Sequence, residues 1–409
     1  MLDVLRDSAY RRLFSAQVIA LLGTGLLTVA LGLLAFDLAG SNAGLVLGTA
    51  LTIKMLAYVG VAPVVSALTS RMPRKPLLVG ADVVRAGVAL SLPFVGDVWQ
   101  VYVLVFVLQA AAATFTPAFQ AVIPEVLPDE ARYTRALSLS RLAYDLEALV
   151  SPALAAAVLT VTSYHHLFVG TFVGFVGSAL LVLATTFPQP APVTPAPFVD
   201  RLTRGARIFW RVPELRGLLF LNLVVASSTA MVIVNTVVLV QGRLGRPQTD
   251  VALLLAAYGA GSMVVALCLP AILDRRPDRT VMLTGALVLP VGLVAVAVLT
   301  AVEAGTSGWI ALVGTWAVLG AATALVLTPS SRLLRRASEH ADRPSVFAAQ
   351  FSLSHACFIL TYPAAGVLGA LVGLPWTAAA LAALGAAALT CARAAWAAPR
   401  TAAEPVAAR

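Results

Sequence analysis

The chain has 409 residues, of which 60% are hydrophobic and only 11% are charged. A soluble domain of this size cannot cover so much apolar surface, so we expect a bundle of helices with the lipid bilayer as its solvent and partner. The net charge of +9 would suit nucleic acid, but basic residues also collect in the cytoplasmic loops of membrane proteins. We favour that second explanation and predict no nucleic-acid partner.

Twelve apolar runs are long enough to cross a membrane, which takes about 20 residues in a helix. They lie at 13–37, 45–69, 76–96, 99–122, 137–162, 165–187, 215–241, 250–273, 280–301, 308–328, 346–371 and 374–396. The alternating pattern of β-barrel strands is not seen. The first run is too long for the core of a signal peptide, so we expect it to remain as the first membrane helix. The predicted fold class is therefore an all-α membrane protein with twelve transmembrane helices.

The lysines and arginines predict an orientation in the membrane. If the N-terminus is cytoplasmic, only Arg243 and Arg246 lie outside, and Lys54, Arg85 and Arg141 lie within spans. All other basic residues then fall on the cytoplasmic side, as the positive-inside rule requires. We predict that both termini are cytoplasmic and that the chain is a multi-pass protein of the inner (plasma) membrane.

The connection between the sixth and seventh spans divides the chain. Five prolines between Pro188 and Pro197 predict a stiff spacer. Arginines alternate with Phe209, Trp210 and other apolar residues after it, which predicts an amphipathic helix on the inner leaflet. The predicted domains are a six-helix bundle at 1–187, a cytoplasmic linker at 188–214, a second six-helix bundle at 215–397 and a disordered tail at 398–409.

The two halves of the chain repeat weakly but in the same order. Pro73 lies in LTSRMPRKPLLVGA and Pro277 in LDRRPDRTVMLTGA, about half the chain apart. Gln17 corresponds to Asn222 at nearly the same offset. Two similar six-helix halves suit a transporter that rocks about a substrate held between them at mid-membrane.

The loop after the second span resembles the signature loop of the major facilitator superfamily, Gly-x-Leu-Ala-Asp-Arg-x-Gly-Arg-Arg/Lys. The chain reads SALTSRMPRK at 66–75, with serine in place of the aspartate, and keeps the acid in LDRR at 273–276 of the second half. In that family the loop latches the two halves on the cytoplasmic side. The resemblance implies this role for Arg71, Arg74, Lys75, Asp274 and Arg275. Asp82 and Arg85 lie three apart just beyond the loop; we favour a structural pair for them, with a part in the latch as the alternative.

A second stretch resembles the drug- and siderophore-exporting branch of that superfamily. It reads FTPAFQAVIPEVLPDEARYTRALSLSRLAYDLEALVSP at 115–152. Its end resembles the antiporter motif Gly-Pro-x-x-Gly-Gly, with Ser151 before the retained Pro152 and alanines for the later glycines. The resemblance implies secondary active efflux by a protein that works as a monomer.

Charged residues lie deep in two predicted spans, where insertion scales assign a cost of about 2.5–3.5 kcal/mol. Asp145 follows Arg141 by one turn, and neutralising that arginine is one interpretation of it. Glu147 has no such partner and lies one turn before Ser151. A carboxyl group that alternates between charged and neutral forms is what proton coupling requires. We predict a proton-coupling site from Glu147, Asp145 and Lys54, with a hydrogen-bonded structural acid as the alternative for Glu147.

Six uncharged polar residues in the spans are candidates for lining a substrate path. They are Gln17, Gln109, Asn222, Asn235, His355 and Tyr362. A packing role through a hydrogen bond is the alternative interpretation of His355.

No motif indicates an enzyme, a cofactor or a metal site. A P-loop and a Ser-His-acid set are not found, and the three cysteines lack metal-ligand spacing. The leading hypothesis is a secondary active transporter that exports a small amphipathic organic compound in exchange for protons, by alternating access. The alternatives are an uptake permease, a metal or siderophore exporter of the same fold, and a sensor or scaffold that transports nothing.

Overall fold

The first half of the chain forms six long helices. The structure, a computed structural model, describes residues 2–61, 73–127, 129–187, 198–273, 275–302, 306–338 and 343–397. The helices are α1 (Ser8–Ala39), α2 (Ala43–Leu56), α3 (Arg74–Ser91), α4 (Val98–Val126), α5 (Glu130–Leu159) and α6 (His165–Leu183). The α2 helix continues as a π-helical segment, Ala57–Val61.

The second half follows with the same number of long helices and two short ones. They are α7 (Phe198–Arg211), α8 (Pro213–Val237, continued by a π-helical segment at Val238–Arg243), α9 (Gln248–Leu273), α10 (Asp278–Ala301), α11 (Thr306–Leu327), α12 (Ser330–Arg336), α13 (Arg343–Val372) and α14 (Leu374–Ala397). The described residues contain no strand. The prediction of an all-α membrane protein is confirmed.

The apolar length of these helices matches a bilayer. Ten stretches of the described residues are long and apolar enough to cross one, and the first of them, Ser8–Gly60, contains both α1 and α2. The α5 helix adds only a shorter apolar part, Val150–Leu159, because charged residues occupy its first half. With both helices of the first stretch counted, eleven of the twelve expected spans meet this test among the described residues, and α5, the twelfth, meets it only in part.

Local sequence signals set several helix ends. The Asp7 carboxylate accepts hydrogen bonds from the backbone N–H groups of Ala9 and Tyr10, both at 3.0 Å, and so caps α1. Asp129 caps α5 by accepting from the Arg132 N–H at 2.8 Å. Gly373, with φ of 81°, makes the turn between α13 and α14, where a side chain would be strained.

Each half uses the same set of helix contacts. In the first half α1 packs against α5 and α6, and α3 packs against α4 and α6. In the second half α8 packs against α13 and α14, and α10 packs against α11 and α14. These are corresponding pairs when the helices of each half are counted in order, so the repeat predicted from the sequence is present in the packing.

The most extensive contacts between the halves are those of α2 with α13 and of α5 with α9. The first pair crosses at glycines: a Cβ on Gly48 would lie 2.6 Å from the Tyr362 carbonyl oxygen, and a Cβ on Gly366 would lie 2.5 Å from the Gly44 carbonyl oxygen. Small residues allow this backbone approach in a membrane, where dispersion replaces the hydrophobic effect between helices. This crossing lies at the start of α2, the end predicted to face outside.

The connection between the halves contains the expected short helix. The α7 helix packs against α8 and α13, with Phe209 buried and Trp210 exposed. This placement is typical of an amphipathic helix at a membrane surface. The proline spacer at 188–197 and the tail at 398–409 lie outside the described residues. The domain boundaries proposed from the sequence stay predictions.

Candidate functional site

Glu147 lies on α5 where this helix packs against a glycine of α1. A Cβ on Gly25 would lie 2.6 Å from Glu147 Oε1 and 2.2 Å from Ser151 Cβ. The Ser151 hydroxyl donates a hydrogen bond across to the Leu22 carbonyl at 3.4 Å. The absence of a side chain at Gly25 therefore leaves space for Glu147 and for the serine of the antiporter-like motif. Pro152, the proline of that motif, lies inside α5. Sequence reasoning missed Gly25, since one glycine in an apolar span carries no signal of its partner.

Lys54 lines a pocket within the first half. The pocket lies between α1, α2 and α4 and has room for about one water molecule in this conformation. Its polar lining is Lys54, Gln109, Thr24 and Thr28, and its other walls are aliphatic. Lys54 and Glu147 lie near enough for their charges to influence each other, so the structure places two of the three predicted coupling residues in the same region. The side chain of Asp145, the third, lies outside the described part of the chain.

An aromatic cluster joins the two halves directly after Lys54. The Lys54 Nζ lies 6.0 Å from the centre of the Tyr58 ring. That ring lies 5.4 Å from the His355 ring and 6.0 Å from the Phe351 ring of α13. Tyr58 belongs to the π-helical end of α2, and such departures from α-helical geometry often mark functional positions. Tyr58 was not predicted, although its spacing of one turn from Lys54 could have indicated it.

The second half offers hydroxyl groups instead of charges. The Tyr258 hydroxyl donates to Thr323 Oγ1 at 3.0 Å and lies 3.3 Å from Thr229 Oγ1, which links α8, α9 and α11. Tyr362 of α13 stacks on Phe358 with ring centres 4.8 Å apart. Tyr362 was a predicted cavity residue. Tyr258 was not, because a tyrosine in an apolar span is also an ordinary packing residue.

Two of the predicted path residues form equivalent contacts in the two halves. Gln17 Oε1 accepts a hydrogen bond from the Ser140 hydroxyl at 3.0 Å, between α1 and α5. Asn222 and Gln350 exchange hydrogen bonds of 3.2 and 3.3 Å between α8 and α13. Both Gln17 and Asn222 are buried, so in this conformation they join helices within their halves.

Asn235 lies at the crossing of the two halves. Its Nδ2 donates to the Ala365 carbonyl at 3.1 Å, and its Oδ1 has no hydrogen-bond partner. That oxygen would lie 2.8 Å from a Cβ on Gly44 and equally close to one on Gly369. The structure thus places Asn235, which is buried, in a tight junction of α2, α8 and α13.

Asp82 and Arg85 form a buried ion pair inside the first half. Ser178 donates to the second Asp82 oxygen at 2.7 Å. The Arg85 guanidinium lies 4.2 Å from the centre of the Phe115 ring and 4.6 Å from that of Phe175. These contacts all lie within α3, α4 and α6, so they favour the structural pair over a part in a latch between the halves.

The predicted latch is described only in part. Arg71 and Asp274 lie outside the described residues, Arg74 and Lys75 begin α3, and Arg275 is exposed just after α9. The structure instead brings out Asp278, a nearly buried acid at the start of α10. Its Oδ2 lies 2.8 Å from Arg336 Nη1 and its Oδ1 3.6 Å from Arg332 Nε, both on α12. This ion pair ties the short cytoplasmic helix α12 to α10 within the second half.

The outer end of the first half is held by a hydrogen bond from the Tyr164 hydroxyl to Asp37 Oδ2, at 2.7 Å. Burial raises the pKa of Tyr164, and the hydrogen bond to Asp37 raises it further. The phenol therefore stays protonated and keeps donating at neutral pH.

Two repeated six-helix halves, with charged and hydroxyl-bearing side chains between apolar spans, define a secondary transporter of the cell membrane. The family model of the Major Facilitator Superfamily matches residues 13–289 and 218–409. The chain belongs to the major facilitator superfamily, and it is a multi-pass protein of the inner (plasma) membrane. Members of this family bind small-molecule substrates and are transporters, generally not enzymes.

Curated relatives include efflux proteins. Macrolide efflux protein A of Streptococcus pyogenes is 26% identical over 43% of this chain and 44% of its own length. The uncharacterized MFS-type transporter YfiS of Bacillus subtilis is 26% identical over 88% of this chain and 87% of its own length. The chain thus matches less than half the length of the macrolide efflux protein. These matches support the prediction of a branch that resembles drug exporters.

Solved structures of the same fold include transporters of nucleosides and of peptides. The nucleoside transporter NupG, as a mutant, matches with a TM-score of 0.73 at 14% identity, over 95% of this chain and all (100%) of the other. A bacterial homologue of the lysosomal transporter Spinster, described as inward-facing and unoccupied, matches with a TM-score of 0.73 at 13% identity, over 95% of this chain and 96% of the other. At these identities the likeness shows the fold alone.

Proposed function

We propose that the protein exports a small amphipathic organic compound in exchange for protons, by alternating access. The observation that carries this proposal is the placement of Glu147. The acid lies in a space that Gly25 leaves on α1, next to the antiporter-like motif, and it lies near enough to Lys54, which lines a pocket, for their charges to influence each other. An acid so placed can lose and regain a proton as the conformation changes, because its cationic neighbour stabilises the charged form.

The substrate path is proposed to run between this pocket and the second half. The pocket wall is mostly aliphatic, with Gln109 and two threonines as hydrogen-bonding groups. In the second half, Tyr258 and its threonine partners offer hydroxyl groups that carry no charge. Such a lining suits an apolar molecule with several hydrogen-bonding groups. Macrolides are one compound class to test, since the matched efflux proteins are named for them.

Alternating access would use the glycine crossing of α2 and α13 as the outer closure. The halves touch there through backbone atoms, with Asn235 in the same junction. To release a substrate outward these helices must separate. One chain holds both halves and the site between them, so we propose that a monomer suffices for transport.

The test is transport by the purified protein in vesicles with an imposed pH gradient. A panel of macrolides and other amphipathic compounds is offered, and compound movement and internal pH are recorded together. We expect inward proton flow to drive outward movement of the compound. This movement should be lost in Glu147→Gln, because an amide that cannot ionise replaces the carboxyl group. Asp97→Asn removes an exposed acid and keeps a capping side chain at the start of α4, so this control should transport as the original chain does.

Other outcomes distinguish the alternatives. Compound and proton moving in the same direction would replace export with uptake. Movement of a divalent cation or of an iron-chelate complex would favour the metal or siderophore exporter. A panel that never alters the pH gradient, with equal behaviour of Glu147→Gln and the original chain, would contradict proton-coupled export and favour a sensor or scaffold.

A further inference from the structure

The imidazole of His355 has one nitrogen committed to the backbone and one left free to bind a proton. Its Nδ1 lies 2.7 Å from the Phe351 carbonyl oxygen. A carbonyl only accepts hydrogen bonds, so Nδ1 carries the hydrogen. In the neutral ring Nε2 is then the nitrogen with a lone pair. His355 is partly buried on α13, and no other hydrogen bond from it is found among the described residues.

The surroundings of His355 belong to both halves. Its ring centre lies 4.2 Å from that of Phe351 on its own helix and 5.4 Å from that of Tyr58 on α2. An imidazolium is attracted to the faces of such rings. His355 and Lys54 both lie against the Tyr58 ring, and two positive charges placed so near disfavour each other. The free nitrogen therefore lies between aromatic rings that favour a positive charge and a cation that opposes it.

The other titratable groups on the elements packed against α13 are near helix ends, whereas His355 lies about three turns inside the helix. Among the described side chains they are Glu214 and Arg216 of α8, Arg207 and Arg211 of α7, Arg332, Arg335 and Arg336 of α12, and Cys391 and Arg393 of α14. On α13 itself Cys357 and Tyr362 follow His355. Lys54 is the charged group that shares the Tyr58 ring with the imidazole, and its charge in turn influences Glu147.

We propose that His355 is a second proton-binding site, in the half opposite Glu147, and that Lys54 links the two sites. When Glu147 is ionised it balances the charge of Lys54, and His355 can accept a proton on Nε2. When Glu147 is protonated the charge of Lys54 is unbalanced and disfavours the imidazolium. The net step breaks the O–H bond of the Glu147 carboxyl and forms an N–H bond at His355, so one proton passes from the first half to the second without a change in total charge.

This proposal rests on the proposed exchange of protons and adds the route by which a proton crosses between the halves. A protonated His355 attracts the Tyr58 ring more strongly than a neutral one does. Proton arrival at His355 would thus strengthen the contact of α2 with α13 in the conformation described here. Proton binding at one site would in this way change how firmly the halves hold together.

The test is histidine-selective ¹⁵N NMR of the full chain in lipid nanodiscs, with the proton itself as the probe. The chain has only 4 histidines, and His355→Gln identifies the signal of His355. We expect this signal to titrate between about pH 5 and 8. In Glu147→Gln the midpoint should move to lower pH by about one unit, a tenfold change in proton affinity, because Lys54 then lacks its counter-charge. In Lys54→Met it should move the other way by a similar amount.

Asp97→Asn provides the matched control, since it removes an acid remote from the cluster and should leave the midpoint unchanged. An unaltered thermal unfolding midpoint establishes that each variant is folded. The proposal is overturned if His355 does not titrate in this range, or if its midpoint is the same in the original chain and both cluster variants. The NMR measurement needs no transported compound. If transport is coupled to protons but the His355 midpoint does not shift, this inference alone is rejected. If the midpoint shifts but no compound of the panel is transported, only the export proposal is rejected.

Discussion

Glu147 illustrates how a single missing side chain can create room for a charged one. The acid would have no space beside α1 if residue 25 carried a Cβ, and Ser151 would lose its place at the same contact. The sequence indicated the acid, since a carboxyl group in an apolar span is costly and unusual. It could not indicate Gly25, because periodicity within one helix does not identify the residue that faces it from another.

Gly25→Ala should therefore disturb both transport and folding. The new methyl would lie 2.2 Å from Ser151 Cβ and 2.6 Å from Glu147 Oε1, and overpacking of this kind costs about 1–3 kcal/mol. We expect a lower unfolding temperature and a loss of proton-coupled transport. Gly87→Ala on α3 is the matched control, since a Cβ there meets nothing within 4 Å. Equal stability and transport in the two variants would disprove the proposed role of Gly25.

Tyr164→Phe should cost about 1 kcal/mol at neutral pH, the usual value of a hydrogen bond that water can partly replace. The pKa of Tyr164 is raised in the folded chain. Its stabilising contribution is thus complete below about pH 10, the ordinary tyrosine value, and is lost as the pH rises above it. Thermal unfolding at pH 7 and in alkaline buffer should show the difference between the two proteins shrinking as pH rises. A constant difference would mean that the hydroxyl contributes by packing alone.

At the scale of helices, α2 combines a close crossing, a cation and a change of helix type within one span. Its first turns cross α13 through Gly44 and Gly48, its last turn carries Lys54, and its π-helical end presents Tyr58 to His355. Composition predicted the span correctly, since about 20 apolar residues suffice to define one. The crossing partner was beyond the sequence, because GxxxG spacing indicates a close helix contact without naming the other helix.

Gly48→Ala should hinder the outer closure between α2 and α13. Its Cβ would lie 2.6 Å from a backbone oxygen of Tyr362, and a backbone atom cannot turn aside as a side chain can. The overpacking should raise the free energy of the outward-closed state by about 1–3 kcal/mol. Because each transport cycle passes through that state, export should slow at least about fivefold. A cysteine at Leu47, in a chain without its native cysteines, should also react faster with an impermeant thiol reagent from outside.

Gly32→Ala is the control for this crossing, since its Cβ would meet only a Leu47 methyl at an ordinary 3.7 Å. If both variants export and react at the same rate, the glycine crossing is not the outer closure.

At the scale of the whole molecule, the two six-helix halves share one architecture but carry different polar side chains. The weak sequence repeat predicted two similar halves. In the structure Gln17 forms a hydrogen bond with α5, and Asn222 forms hydrogen bonds with α13 at the corresponding place. The first half then places Lys54 and Glu147 near its pocket, while the second half presents the hydroxyl groups around Tyr258. The charges could be found from the sequence because they stand out in apolar spans. Tyr258 could not, since its role depends on partners in two other helices.

This distribution predicts that binding and coupling can be separated by mutation. Tyr258→Phe removes a hydroxyl that bonds Thr323 at 3.0 Å and lies near Thr229, and the loss of one hydrogen bond to a substrate costs about 1 kcal/mol. With a compound exported in the vesicle assay, KM should rise about fivefold, while the number of protons exchanged per molecule stays the same.

Glu147→Gln should show the opposite pattern, with binding retained and movement no longer dependent on the pH gradient. The two variants carry their changes in different halves, so the double variant should combine the higher KM of Tyr258→Phe with the lost dependence on the pH gradient of Glu147→Gln, as expected for sites without shared contacts. Equilibrium binding together with compound and proton flux measures both quantities. If Tyr258→Phe alters the number of protons exchanged per molecule, or if Glu147→Gln abolishes binding, the two functions share one site. The assignment of binding and coupling to different halves is then wrong.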